Sequence, residues 1–218
     1  MRIVIAGGHG KVALILERML SQRGDSVTGL IRNPAQTADL EAAGAEPVVI
    51  DLEKASVDEV AEAVRGADAV VFAAGAGPGS GAARKDTVDR DAAILLANAA
   101  QAAGVHRYVM VSAMAADPQA NADDAVFQAY LRAKGVADEA IRARDALEAT
   151  IVRPGGLTDD AGLGQVMIGE ATGRGTIPRE DVAAVLVAVL DEPGTAGRTF
   201  ELVSGETPVA EAVAALAG

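Results

Sequence analysis

Residues 2–13 read Arg2-Ile3-Val4-Ile5-Ala6-Gly7-Gly8-His9-Gly10-Lys11-Val12-Ala13. The four apolar residues Ile3–Ala6, three of them β-branched, predict a short strand buried on both faces. Helical periodicity begins at Val12 and runs to Leu20, with Gly24 just beyond as a stop. Between the two lies a turn with the spacing G-x-x-G-x-x-A. Such a turn leads directly from a strand into a helix whose first N–H groups have no acceptor within the helix. Glycine is needed there because a Cβ would block both the turn and the approach of a phosphate. Gly7, Gly8, His9, Gly10, Lys11 and Val12 therefore form a candidate seat for a pyrophosphate on a helix N-terminus. An ordinary tight turn of an α/β domain is the other reading.

The same alternation continues outward. Strands are expected at Ser26–Ile31, Ala45–Ile50, Ala69–Phe72, His106–Ser112 and Thr150–Arg153. Helices are expected after Pro34, from a cap at Ser56 to Val64, over Arg84–Ala103 and over Asp124–Leu147. Continuous apolar strands joined by helices mean a parallel sheet covered on both faces, an α/β doubly wound domain with right-handed crossovers. Past Pro154 the alternation breaks. The Gly-rich stretch 155–175 suggests a short hairpin, followed by a helix over Arg179–Leu190, a strand over Thr199–Val203 and a last helix to Ala217. With no repeat or linker, residues 1–218 read as one domain, in which roughly 155–178 and 204–218 form a small C-terminal cap.

Composition narrows the function. Against 19 Lys+Arg stand 31 Asp+Glu, a formal charge of -12, so nucleic acid and anionic membrane are poor partners. An anionic ligand must be met by local donors. The chain has no Cys, which excludes disulfides, thiolate catalysis and cysteine-ligated zinc. The two His are far apart, the acid pairs Asp123-Asp124 and Asp159-Asp160 read as solvated loops, and no metal site is expected. The longest apolar run, Val182–Leu190, has nine residues, far below the roughly 18 of a membrane span. No signal-peptide core precedes the glycines, so a cytoplasmic protein is expected.

Four further features carry chemistry. About 20 residues past the glycines, an acid would bind a ribose 2′-hydroxyl. Here the chain reads Leu30-Ile31-Arg32-Asn33, without an acid. The planar guanidinium of Arg32 can pair with a 2′-phosphate, which favours NADP(H) over NAD(H); a solvated loop arginine is the alternative. Asp51, at the end of the third strand, can accept from an adenine amino group or cap the turn before Ser56. The loop Ala73–Gly81, with four glycines and one proline, leaves the carboxyl end of the fourth strand beside the expected crevice. Finally, Tyr130 and Lys134 lie at i and i+4 on one helix face. A nearby ammonium would lower the tyrosine pKa and make its hydroxyl usable near neutral pH. Ser112, closing the fifth strand, sits at the sheet edge where ligands bind. His106, at a strand start, reads as a satisfied packing residue.

These features together resemble the atypical short-chain dehydrogenase/reductases of the NAD(P)H-binding, epimerase-like kind. The resemblance rests on Gly7–Ala13, Arg32-Asn33-Pro34, Asp51-Leu52, Ala73-Ala74-Gly75, Val88–Asp91, Val111-Ser112, Tyr130–Lys134 and Arg153–Gly156. It implies a Rossmann fold with strand order 3-2-1-4-5-6-7, and a catalytic Ser112, Tyr130 and Lys134. Asp89 stands where classical relatives use Asn; pairing with Arg90 or Arg107 is its structural alternative. The resemblance also implies cofactor contacts from Leu52, Ala73, Ala74, Gly75 and Lys134, and a backbone turn at Pro154 and Gly155 facing the nicotinamide. The expected function is an NADP(H)-dependent oxidoreductase or epimerase-like enzyme for a small carbonyl or sugar-like substrate, as a monomer or homodimer. A non-catalytic NADP(H) sensor and a flavin or quinone reductase are the competing readings.

Overall fold

The computed structural model describes residues 1–77 and 79–218; Pro78, in the Ala73–Gly81 loop, lies outside the described residues. Six strands, β1 (Arg2–Ala6), β2 (Ser26–Ile31), β3 (Glu46–Val49), β4 (Ala69–Phe72), β5 (Arg107–Val111) and β6 (Glu148–Pro154), alternate with helices. The helices are α1 (Lys11–Gln22), α2 (Thr37–Ala42), α3 (Val57–Val64), α4 (Ala82–Arg84), α5 (Ala92–Ala103) and α6 (Ala125–Arg142). Between α4 and α5, residues Lys85–Asp91 form a π-helical segment. Then follow β7 (Gly156–Thr158), β8 (Gln165–Gly169), β9 (Thr176–Pro178), α7 (Arg179–Asp191), β10 (Thr199–Ser204), β11 (Thr207–Pro208) and α8 (Val209–Ala214).

The main sheet has the order β11-β8-β10-β6-β5-β4-β1-β2-β3. Its pairs from β3 to β10 are parallel, which is the expected order of seven strands with β10 as the seventh. It differs in detail at one edge, where β8 adds antiparallel to β10, and β11 to β8. The hairpin expected in 155–175 is corrected by the same observation. β7 pairs with β9 in parallel as a separate two-stranded sheet, because β8 between them is drawn to the open edge of β10.

The strand alternation builds two cores, one per face. Ile3 and Ile5 join Val12, Leu16 and Leu20 of α1 and Val182, Leu186 and Val189 of α7. Val4 and Ala6 point the other way, with Phe72, Met110, Val60 and Val64 of α3, and Leu96 of α5. Small residues, Ala92, Ala93, Ala97, Ala99 and Ala100, line the buried face of α5 and let it approach the sheet closely. The α3 start is a full capping box, with Ser56 and Glu59 each satisfying the other's backbone N–H. Both cores leave the carboxyl ends of β1, β2, β4 and β5 facing one crevice. No helix among the described residues is long and apolar enough to cross a membrane.

Candidate functional site

The crevice holds a cleft of about 270 Å³ lined by the glycine turn, the ends of β2 and β3, and the loop after β4. Gly7 has φ +83°, and a Cβ there would lie 2.5 Å from Ala74 Cα. The turn therefore packs backbone on backbone against the 73–75 loop. The N–H groups of Gly7 and Gly8 are committed to Leu30 O and that of Gly10 to Gly7 O. The glycines thus set geometry. Among the described residues, the N–H groups of Lys11 and Val12 at the start of α1 make no backbone hydrogen bond, and the Gly10 cap position carries no capping side chain. A glycine-rich turn ending on an uncapped helix N-terminus fits a dinucleotide pyrophosphate.

Gly7, His9, Gly10, Arg32, Asp51, Leu52, Ala73, Ala74 and Gly75 line this cleft together. The other expected cofactor residues sit differently. Gly8 packs beneath the turn, where a Cβ would meet Glu17 and Gly29. The exposed Lys11 ammonium pairs with Asp159 at 2.5 Å, and Asp159 also holds Arg179. Val12 is core. Asn33 caps the short helix after β2 by accepting from Ala35 N. His9 bridges Asp39 and Gln36 with its two ring nitrogens. Asp51 accepts from Glu53 N at 3.1 Å, so its carboxylate caps the turn while its residue still lines the cleft. Pro154 O accepts from Met114 N and Gly155 N donates to Leu202 O, which ties this turn to its neighbours rather than to the cleft wall.

Arg32 is not a free loop cation. Its NH1 lies 2.7 Å from Glu53 Oε2, which also takes Arg84 NH2 at 2.9 Å, while Thr87 donates to Oε1. The Thr87 hydroxyl first, and then the two guanidiniums, hold the Glu53 carboxyl below the usual carboxylate range against its partial burial. Glu53 and Arg84 carried no signal in the linear sequence, because the trio forms only when the ends of β2 and β3 and the helix after β4 converge.

Beyond the cleft floor lies a buried polar cluster. Lys134 Nζ reaches Val111 O at 3.1 Å, Ala74 O at 3.4 Å and Asp89 Oδ1 at 3.5 Å. Asp89 is fully buried and accepts from Ala76 N. The π-helical turn aims Lys85, Val88 and Asp89 inward together, a distortion that recurs at functional sites. Neither expected arginine partner reaches Asp89. Arg90 pairs with Asp86 and Asp91, and Arg107 is buried against carbonyls and Thr150 and Thr195. Asp138, one helical turn past Lys134, is bridged by Arg153 at 2.8 Å. Burial raises its pKa, against the neighbouring Ser112 hydroxyl and Arg153. Burial lowers that of Lys134, against Asp89 and Asp138. Ser112 Oγ is buried without a well-oriented hydrogen-bond partner among the described residues.

Tyr130 corrects one expectation. Its pKa is raised, not lowered, first by burial and then by the negative charges of Asp89 and Asp138. The ammonium of Lys134 is turned to Asp89 and to carbonyls, and it is Lys85 that lies over the tyrosine ring, 5.4 Å from its centroid. His106 is also corrected: it is exposed and bonds Ala146 O, while the packing side chain at the strand start is Arg107. Asp138 was detectable as the third polar residue of the series 130, 134, 138 on one helix face.

A crevice of this topology, with a glycine-rich turn leading into a helix N-terminus, defines a dinucleotide-binding α/β protein. Residues 7–193 match the NAD(P)H-binding family, and the chain belongs to it. Over 98% of its length it is 40% identical to a Bacillus subtilis protein named "uncharacterized sugar epimerase YhfK", covering 99% of that protein. A solved Bacillus halodurans structure, described as a candidate NAD-dependent epimerase/dehydratase, shares 36% identity with TM-score 0.90, at 99% coverage of both chains. The oxidoreductase ylbE of Lactococcus lactis shares 25% identity with TM-score 0.86, covering 99% of this chain and 96% of that one.

Proposed function

We propose that the protein is an NADP(H)-dependent oxidoreductase or epimerase-like enzyme acting on a small carbonyl or sugar-like substrate. One observation carries this reading: the carbonyl of Ala74, a residue that lines the cleft, accepts from Lys134 Nζ, which also holds Asp89 and the end of β5. This contact supports reading the proposed dinucleotide seat and the proposed Ser112, Tyr130, Lys134 set as neighbours. When bound, the nicotinamide supplies or accepts hydride. The chain supplies the rest. The α1 N-terminus holds the pyrophosphate, and Arg32 the 2′-phosphate. Lys134 fixes the loop wall through Ala74 O, and the turn at Pro154 and Gly155 would face the nicotinamide when the cofactor is bound. Ser112 Oγ, which has Asp138 as its polar neighbour, would orient a substrate oxygen, and Tyr130 would give that oxygen a proton.

The direction of the Tyr130 shift sharpens the assignment. A phenol whose pKa is raised stays protonated at neutral pH, which suits a proton donor in carbonyl reduction and opposes a role as phenolate base. Tyr130→Phe is expected to lower kcat for NADPH-dependent reduction about 100-fold or more while leaving NADPH affinity within twofold. Steady-state assays over a carbonyl and quinone panel, with calorimetry, check this. Equal turnover would remove Tyr130 from the mechanism.

The cofactor assignment has its own test. Titration calorimetry is expected to show tighter NADPH than NADH binding, and Arg32→Ala to erase most of the difference, a loss of about 1.5–3 kcal/mol for a charge-assisted phosphate contact. Equal affinities in the unmodified protein would defeat it. A second reading, a non-catalytic NADP(H) sensor, is favoured by the engagement of Lys134 with Asp89. Tight NADPH binding without oxidation on any panel compound would select it.

A further inference from the structure

The trio Arg32, Glu53 and Arg84 stands at the cleft rim, where the sequence alone offers a single cation. Each guanidinium makes one side-chain bond among the described residues, and both go to the same oxygen, Glu53 Oε2. Arg32 and Arg84 keep 54% and 40% of their side-chain surface exposed, so most of their N–H donors face the cleft mouth or solvent. Glu53 is only 21% exposed and is fixed from behind by the Thr87 hydroxyl. A carboxylate oxygen shared by two forks is the geometry that a phosphate oxygen would adopt, and a phosphate offers more acceptors than one carboxylate oxygen.

We propose that Arg84 is the second guanidinium of a 2′-phosphate subsite, and that Glu53 is a built-in competitor that holds both arginines when no 2′-phosphate is present. This rests on the reading that Arg32 meets the 2′-phosphate. Glu53 has two consequences. It keeps both forks converged on one point and so preorganises the subsite. It also places a negative charge beside the incoming dianion, which sets a ceiling on the discrimination between 2′-phosphorylated and 2′-hydroxyl ligands. The chain's acidity is therefore felt locally, through one residue, at the step where NADP(H) is told from NAD(H).

The test uses the full chain and two probes, 2′,5′-ADP and 5′-AMP, titrated by calorimetry at low salt. Arg84→Gln is expected to weaken 2′,5′-ADP about tenfold or more and to leave 5′-AMP unchanged. Glu53→Gln keeps the hydrogen-bonding shape and removes the charge; it is expected to tighten 2′,5′-ADP about three- to tenfold, again without effect on 5′-AMP. Thermal unfolding of each variant separates a binding effect from misfolding, and Arg84→Lys, which restores charge without the fork, is expected to recover part of the affinity. The inference is overturned if Arg32→Ala removes the discrimination but Arg84→Gln does not, or if Glu53→Gln weakens 2′,5′-ADP. Absence of any 2′,5′-ADP preference in the unmodified protein overturns instead the Arg32 assignment beneath it.

Discussion

Gly7→Ala is expected to destabilise the fold by about 2–6 kcal/mol, the sum of about 1–3 for a strained backbone and about 1–3 for overpacking, and to abolish dinucleotide binding. Two independent costs fall on the same atom. The φ of +83° is a region L residues avoid, and the new Cβ meets Ala74 Cα at 2.5 Å, Ala74 N at 2.7 Å and Ala74 Cβ at 2.8 Å. Two of those three atoms are backbone, so trimming Ala74 to Gly does not relieve the clash. The loop after β4 must move instead, and it carries Ala73, Ala74 and Gly75 of the cleft wall and the carbonyl that Lys134 holds. Gly77→Ala is the control, with φ +78° but, among the described residues, no atom beyond its chain neighbours within 4 Å of its Cβ. It is expected to cost only the backbone share and to leave binding intact. Denaturant unfolding and NADPH calorimetry check both variants. A Gly7→Ala protein that unfolds and binds like Gly77→Ala would show that close packing of the two loops is not what shapes the seat.

The contrast between Gly7 and Glu53 separates what the sequence discloses from what it hides. Gly7 sits in a local pattern, strand then glycines then helix, and local patterns need no knowledge of the rest of the chain. The seven parallel strands were legible for the same reason, since each is a short apolar run between turn signals. The strand β8 was not. Gln165–Gly169 alternates weakly amid glycines, and only the free edge of β10 makes it a strand. The site divides likewise. Arg32, the glycine turn and the Tyr130–Lys134 spacing were visible along the chain. The partners that decide their chemistry were not: Glu53 meets Arg32 across neighbouring strand ends, and Asp89 turns inward through a π-helical register that no helical periodicity predicts. The tyrosine pKa runs opposite to the expected direction first because the fold buries the phenol, and then because Asp89 and Asp138 add negative charge beside it.

Glu17 carries the second large effect. It lies on the buried face of α1, fully buried beneath the glycine turn, with both carboxylate oxygens lacking a hydrogen-bond partner among the described residues. Gly8, Gly29 and Leu40 surround it; a Cβ on Gly29 would lie 2.6 Å from Glu17 Oε1. Burial pushes its pKa up from 4.5 to about 8. In the unfolded chain the group ionises near its ordinary value, whereas the folded protein keeps it neutral until about pH 8. Between those values the unfolded state binds fewer protons than the folded one, so stability falls as pH rises and levels off above the folded pKa. Below pH 4.5 both states are protonated and the penalty vanishes. Glu17→Gln removes the titration while keeping the size. It is expected to raise stability by a few kcal/mol at pH 9, on the scale of about 1.4 kcal/mol per unit of pKa shift, and to change it little at pH 4.5. Denaturant titrations of both proteins from pH 4.5 to 9 measure the difference, which is expected to grow through that window and then plateau. A constant offset at every pH would mean that the carboxyl finds a partner in solution and that its burial beneath the turn carries no proton linkage.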